Sequence, residues 1–240
     1  MKLFWSALIN FFLPPRCLFC GQIMDGFPNI PVCSSCLAAL IFFSSPKCPK
    51  CGIGFAASVG PDHLCARCLN NELHFTSARA LGPYEGLMAE LITRFKYQGA
   101  TYLAHPLGML LAGYKDTDFS LANIDLLVPV PLHPRRLRER GFNQSLLLAR
   151  VVSRVHKIPL QFNLLERIRY TQPQTQLSGA EREKNMRGAF RVRKNLLPAG
   201  INILLIDDVF TSGATVGECA RVLKEAGARQ VQVLTLARAI

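Results

Sequence analysis

The chain has 240 residues, half of them hydrophobic and 18% charged, a composition that builds a packed core and excludes a disordered, collagen-like or low-complexity chain. Lys and Arg outnumber Asp and Glu by 28 to 16, a formal charge of +12 that comes from scarce acids more than from abundant bases. Such a surface attracts phosphates, nucleotides or nucleic acid.

In chain order, the first segment, Met1 to Leu13, carries one basic residue and an apolar run of signal-peptide length. It lacks a small-residue cleavage site, runs straight into Pro14-Pro15-Arg16 and is too short to span a bilayer. Leu3, Phe4, Ala7, Leu8, Phe11 and Phe12 recur at helical spacing, which predicts a short amphipathic helix packed on its own protein. Contact with a membrane surface is the alternative. No transmembrane segment is expected, and the chain reads as cytoplasmic.

Eight of the nine cysteines fall within residues 17–68, as Cys17-x2-Cys20, Cys33-x2-Cys36, Cys48-x2-Cys51 and Cys65-x2-Cys68. Two residues between thiolates make a tight knuckle that presents both sulfurs to one tetrahedral ion. Four knuckles, with 11 to 13 residues between them, provide ligands for two structural zinc sites of four cysteines each. Disulfides are the competing reading, disfavoured in a cytoplasmic chain. Sequential ligation groups Cys17/20/33/36 and Cys48/51/65/68; an interleaved cross-brace is also compatible with the spacing. Closed sites of this kind serve folding, not catalysis. Cys219 stands apart and reads as a small buried hydrophobe. Composition changes near residue 75, which predicts a front module over 1–75 and a second domain over 76–240.

Beyond that point helical and strand patterns alternate. Residues 86–96 place Leu87, Leu91, Ile92 and Phe95 on one helical face, and a second helix is expected from Leu103 to Ala112. Leu126 to Val130 reads as a short buried strand stopped by prolines. Asn143 is the expected N-cap of a helix from Ser145 to Val155. Ile201 to Ile206 reads as a strand buried on both faces. A turn and a helix from Val216 to Ala226, ended by Gly227, lead to a last strand from Val231 to Leu236. The alternation predicts an α/β fold with a mostly parallel sheet.

The chemistry concentrates where the strand at 201–206 ends. Asp207-Asp208 is followed by Thr211, Ser212, Gly213, Ala214 and Thr215, which open a helix. A helix N-terminus offers unpaired N–H groups and a positive dipole end to an anion. Gly213 permits close backbone approach, and the hydroxyls add donors. The two carboxylates before this cradle suit ribose hydroxyls or a hydrated Mg²⁺. The competing reading is an ordinary strand-to-helix turn. At a second strand end, Arg135, Arg136, Arg138 and Arg140 form a cluster whose guanidinium forks match pyrophosphate oxygens, against a plain solvated basic loop. The polar stretch 169–190 is long enough for a lid, with Arg182 and Asn185 its candidate residues, or else a surface connection without a role.

Ile203 to Thr215 resembles the signature of type I phosphoribosyltransferases: four apolar residues, two acidic residues and a Thr/Ser-Gly phosphate loop. Phe210-Thr-Ser departs mildly from the commoner wording and keeps the hydroxyls. The resemblance implies that 5-phosphoribosyl-1-pyrophosphate (PRPP) binds with Mg²⁺. Asp207 and Asp208 would hold the ribose 2- and 3-hydroxyls, and residues 211–215 the 5-phosphate. Pro129-Val-Pro131, Arg140-Gly-Phe-Asn-Gln144, the stretch with Gln176, Arg182, Asn185 and Phe190, and Phe95-Lys96-Tyr97 together resemble the ComF family over nearly the whole chain. That resemblance implies a double zinc ribbon before a phosphoribosyltransferase-like domain, acting in DNA uptake during natural transformation or in DNA utilisation, with possible partners in the uptake machinery. Two function classes follow. One is transfer of the phosphoribosyl unit from PRPP to an unidentified nucleophile, with Asp207 and Asp208 in the catalytic site and Arg135 and Arg136 on the pyrophosphate. The other is a non-catalytic PRPP sensor or single-stranded DNA-binding adaptor, since fold alone does not settle activity.

Overall fold

The structure is a computed structural model that describes residues 14–24, 32–56, 59–70, 73–171 and 179–239. The amphipathic helix expected at the N-terminus lies outside the described residues. The front of the chain is mostly irregular, with short helices α1 (Ser34–Ala38) and α2 (Ala66–Asn70). Then come β1 (Ser77–Pro83), α3 (Gly86–Tyr97), α4 (Ala104–Ala112), β2 (Leu126–Pro129), α5 (Pro134–Arg140) and α6 (Gln144–His156). After β3 (Leu165–Arg167), α7 (Gly179–Met186) and β4 (Phe190–Val192), the chain closes with β5 (Asn202–Phe210), α8 (Ala214–Glu225) and β6 (Gln230–Arg238).

Four strands form one parallel sheet in the order β1-β6-β5-β2. Central β5 alternates between two cores. Leu204 and Ile206 face a cluster built by α3, α4 and α6, while Ile203 and Leu205 face a second one built by α8 and the antiparallel pair β3-β4. A strand covered on both faces must be apolar throughout, which is why 201–206 reads as a continuous hydrophobic run. Helix α6 therefore packs on one face and α8, the helix after β5, on the other. That reversal opens a crevice between the carboxyl ends of β2 and β5, the place where open α/β sheets bind ligands.

Local signals set the helix ends around this crevice. Asn143 Oδ1 accepts from the amides of Ser145 at 3.0 Å and Leu146 at 3.3 Å, capping α6 as expected. The basic stretch before it, for which a solvated loop is the competing reading, is helical. His133 Nδ1 accepts from the Arg135 amide, Pro134 takes the first turn, and Gly141 ends the helix at φ 83°. The helix has no buried residue, so no apolar stripe announced it.

Edge strand β1, which the residue pattern did not reveal, is covered by the front module. The Ala78 amide donates to the Lys50 carbonyl and the Phe43 amide to the Leu81 carbonyl, each at 2.8 Å. A Cβ on Gly82 would lie 1.9 Å from the Ile41 carbonyl oxygen, so only glycine admits this approach. Beneath it Asp116 pairs with Lys47 Nζ at 2.8 Å and Arg79 Nε at 2.6 Å, all three side chains buried. An otherwise open sheet edge is closed by backbone pairing and a charge triad.

Candidate functional site

The crevice is a cavity of about 600 Å³, lined among others by the ends of β2 and β5 and by the starts of α6 and α8. Asp207 and Asp208 stand at its floor, both buried. Asp207 Oδ1 accepts from Ser145 Oγ at 2.8 Å and from the Asp208 amide at 3.0 Å. Asp208 Oδ1 pairs with Lys96 Nζ at 2.8 Å, whereas its Oδ2, though buried, has no hydrogen-bond partner among the described residues.

Two acidic groups this close and this dry do not ionise freely. Burial first, and then the neighbouring Asp208 charge, push the Asp207 carboxyl up to about 7, against the favourable effects of Lys96 and Ser145. Burial alone would discharge Lys96, but the Asp208 carboxylate, with Asp207 behind it, holds its ammonium more firmly than usual. Among the described residues, the floor thus contains a carboxylate pair, an ammonium and a carboxylate oxygen without a hydrogen-bond partner.

Beyond β5, Gly213 takes a left-handed conformation at φ 74° and starts α8. Thr211, Gly213 and Thr215 line the cavity; Ser212 is buried with its Oγ accepting from the Ala214 amide at 3.4 Å, and Ala214 is the first helical residue. This is the turn at which the sequence predicts an anion cradle. On the opposite wall Arg136 and Arg140 face the cavity. Arg135 is not among the lining residues; it pairs with Glu139 and lies over the Tyr170 ring at 4.8 Å. Arg140 donates to Gln144 Oε1 at 2.6 Å and sits over the Tyr97 ring at 5.3 Å.

The expected lid contains α7, flanked by β3 and β4. Residues 172–178, with Gln176, lie outside the described residues. Arg182 and Asn185 are both on α7, and Asn185 is not among the lining residues of the cavity. Arg169 donates to the carbonyls of Asn185 at 2.8 Å and Arg187 at 2.7 Å, and the Gly188 amide donates to Glu218 Oε1 at 2.7 Å. Both ends of the segment are therefore tied down beside α8.

Several site residues were not singled out in the sequence as ligand-facing. Lys96, Ser145, Arg167, Tyr97 and Tyr170 all line the cavity. Arg167 lies over the Phe190 ring and donates to Thr171 Oγ1, with its Nε buried and without a hydrogen-bond partner among the described residues. The signal available for Lys96 was its place in the Phe95-Lys96-Tyr97 motif. Cys219 is fully buried, and that burial pushes its thiol far above the ordinary range, as suits an inert core residue.

The eight other cysteines gather into two groups, Cys17/20/33/36 and Cys48/51/65/68, the ligand atoms of each within 4.8 Å of one another. The cysteines group sequentially and not in the interleaved arrangement. Cys20 and Cys33 Sγ are 3.7 Å apart, as are Cys51 and Cys65 Sγ. Tetrahedral zinc with Zn–S bonds of about 2.3 Å needs sulfurs roughly 3.8 Å apart, so both groups fit the ion. Burial opposes the Cys17 thiolate, but amides led by that of Cys33 at 3.3 Å outweigh it and bring the thiol down to about 6. Cys48 is likewise lowered to about 7, with the Cys65 amide foremost against burial.

Comparison with known proteins agrees with this architecture. A double zinc ribbon domain model matches residues 8–69, and a phosphoribosyl transferase domain model matches residues 143–240. Competence protein F of Haemophilus influenzae is 33% identical over 237 residues, 97% of this chain and 100% of its own length. The DNA utilization protein YhgH of Escherichia coli K12 is 34% identical, covering 95% and 99%. Competence protein ComFC of Bacillus subtilis is 32% identical, covering 88% and 85%. A glutamine PRPP amidotransferase from B. subtilis, 25% identical, aligns over 54% of this chain and 25% of its own with a TM-score of 0.36, too weak a likeness to carry an argument.

Proposed function

This chain belongs to the ComF family of double zinc ribbon and phosphoribosyltransferase proteins, and from that premise we propose that its cavity binds PRPP with Mg²⁺ and serves DNA uptake or DNA utilisation. The observation that carries the reading is the buried pair Asp207–Asp208, with Asp208 Oδ2 unbonded, set beside a helix N-terminus at the cavity floor. Two ribose hydroxyls are the complement of that pair. The 5-phosphate would take the cradle of residues 211–215. Arg136 would meet the pyrophosphate directly, and Arg135 would act through Tyr170 or after a change of rotamer.

Hard carboxylate oxygens and an orphaned Oδ2 also suit a hydrated Mg²⁺, which would supply charge neutralisation on the pyrophosphate. In a transfer reaction the C1–O bond to pyrophosphate breaks, a C1–N bond forms to an incoming nitrogen, and pyrophosphate leaves. The guanidinium groups of Arg136 and Arg167 favour the departing charge, and the segment containing Arg182 and Asn185 would exclude water. Titration calorimetry with PRPP and Mg²⁺ tests binding: Asp207→Ala/Asp208→Ala should abolish it. Pyrophosphate release across a panel of bases then separates transferase from sensor, since a sensor binds and releases nothing.

A second reading, a single-stranded DNA adaptor, draws on the two arginine-capped tyrosines at the cavity wall, Tyr97 under Arg140 and Tyr170 under Arg135. Bases stack on such rings, and the affinity would fall steeply with salt. Salt-independent binding would exclude it. Thiolate zinc sites favour a reducing compartment, which supports a cytoplasmic location. Among the described residues no helix is long and apolar enough to cross a membrane. We take the ribbon module as residues 1–75 and the phosphoribosyltransferase-like unit as 76–240, on the grounds that α2 ends at Asn70 and β1 begins at Ser77.

A further inference from the structure

Lys96 stands in the last turn of α3, and its position leaves it little freedom. The preceding residue, Phe95, is fully buried and its ring lies 5.6 Å from that of Phe142. The following residue, Tyr97, lines the cavity under Arg140. Between them the Lys96 side chain, 16% exposed, reaches Asp208 Oδ1 at 2.8 Å, and the Asp208 side chain is 4% exposed. The negative end of the helix dipole favours an ammonium at this place.

Other cations approach the same floor from other elements, yet none occupies this position. Arg140 of α5 is engaged by Gln144, Arg136 of α5 lies near Glu139, and Arg167 of β3 is held by Thr171 and the Phe190 ring. Among the described residues, Lys96 is the cation within ion-pair distance of the carboxylate pair. Ser145 supplies a neutral donor to Asp207. A pair of buried carboxylates needs a compensating positive charge, and here that charge is part of the polypeptide.

We infer that Lys96 is the resident counter-cation of the Asp207–Asp208 pair, so that the Asp208 carboxylate is compensated without a bound metal and a divalent ion enters only with a pyrophosphate-bearing ligand. The last clause rests on the PRPP reading given above; the first does not. A lysine in this role is a positioning residue: it fixes the Asp208 carboxylate through Oδ1 and leaves Oδ2 without a partner among the described residues. It also sets metal dependence, because divalent affinity follows the net charge of the donor set.

The test is a titration of the intact protein with Mn²⁺ alone, following the free ion by electron paramagnetic resonance, with no sugar phosphate present. Lys96→Met should bind Mn²⁺ at least about tenfold more tightly than the native chain, through the added net negative charge. Lys96→Arg should behave like the native chain, and Lys96→Met/Asp208→Asn should lose the gain. A purely structural lysine would give no such gain in affinity. Equal Mn²⁺ affinity of the native chain and Lys96→Met overturns the inference. Should Lys96→Met not fold, Asp208→Asn in the native background decides: unchanged weak Mn²⁺ binding supports the inference, and a loss of tight Mn²⁺ binding overturns it. A separate PRPP titration in Mg²⁺ keeps failure of the PRPP reading distinct, since the Mn²⁺ experiment contains no PRPP.

Discussion

Arg238 donates from Nη1 to the carbonyl oxygen of Cys51 at 2.6 Å, joining the last residue of β6 to a knuckle of the second zinc group. The same guanidinium lies over the Phe210 ring at 4.4 Å, and that ring packs against Gly213 at the start of the phosphate cradle. A zinc knuckle, an arginine, an aromatic ring and the candidate phosphate loop are thus in one chain of contacts. The front module is not an appendage tied on by a linker. It props the site.

Arg238→Met should therefore weaken binding of PRPP or of ribose 5-phosphate as well as stability. Loss of a buried charge-assisted hydrogen bond costs about 1.5–3 kcal/mol of stability. If about 1 kcal/mol of that reaches the loop, affinity falls roughly fivefold. Calorimetry on the folded variant checks this, and unchanged affinity would show that Phe210 holds the loop without Arg238.

The acidic partner of the docked edge makes a sharper prediction. Asp116→Asn leaves Lys47 and Arg79 buried beside each other without a counter-charge, which should cost about 3–5 kcal/mol in denaturant unfolding. Burial works against the Asp116 charge, but hydrogen bonds from Lys47 and Arg79 hold its carboxyl well below the usual carboxylate range. Its folded-state pKa is depressed, so its contribution is present above the unfolded value of about 3.9 and is lost as pH falls through the lower folded value. Mild acid should leave the module docked, as judged by proteolysis near residue 70.

Asp207 carries the opposite sign. Its folded-state pKa is raised to about 7, so the native state takes up a proton that the unfolded chain lacks between roughly pH 4 and 7. This group's contribution to stability is therefore fully present below about pH 4 and lost as pH rises through 7. Ligand hydroxyls need the ionised form. Affinity for PRPP should rise through pH 6 to 8 with proton release below 7, and Asp207→Asn should bind weakly with a flatter profile. Calorimetry in buffers of different ionisation enthalpy measures both.

Zinc analysis should return two ions per chain, one for each group of four cysteines. Cys65→Ser should lose the second ion and loosen the Cys51 carbonyl from Arg238, lowering both melting temperature and affinity for PRPP. Cys20→Ser should lower zinc content with a smaller effect on ligand affinity, because the contacts traced from the cavity reach the second group.

Gly213→Ala tests the cradle itself. A Cβ would lie 2.6 Å from Phe210 Cζ, and φ 74° costs a residue with a side chain about 1–2 kcal/mol. The variant should fold with slightly reduced stability and lose most phosphate affinity, since the loop must move off Phe210. Retained affinity in the folded variant would mean that the anion does not sit there.

Local pattern by itself determined three of the four parallel strands, the Asn143 cap, the turn into α8 after Phe210 and the four cysteine knuckles; the strand carrying Asp207 and Asp208 runs on to Phe210, past its expected end at 206. Each is a matter of neighbours in sequence: periodicity set by burial, a side chain bonding an amide two or three residues on, two sulfurs at one turn. Other elements escaped: α5 because it buries no residue, β1 because it is covered on both faces and shows no alternation, and β3, α7 and β4 because they are short or lie in the polar stretch. Tertiary structure alone decided what these parts meet. Ser145 reaches Asp207 across 62 positions and Arg238 reaches Cys51 across 187, distances over which no spacing rule operates. It also chose sequential over interleaved ligation, turned Arg136 to the cavity and Arg135 to Tyr170, and set Lys96 against Asp208. Those outcomes follow from which faces of distant helices and strands share a core, a property of the whole packed chain and of no segment within it.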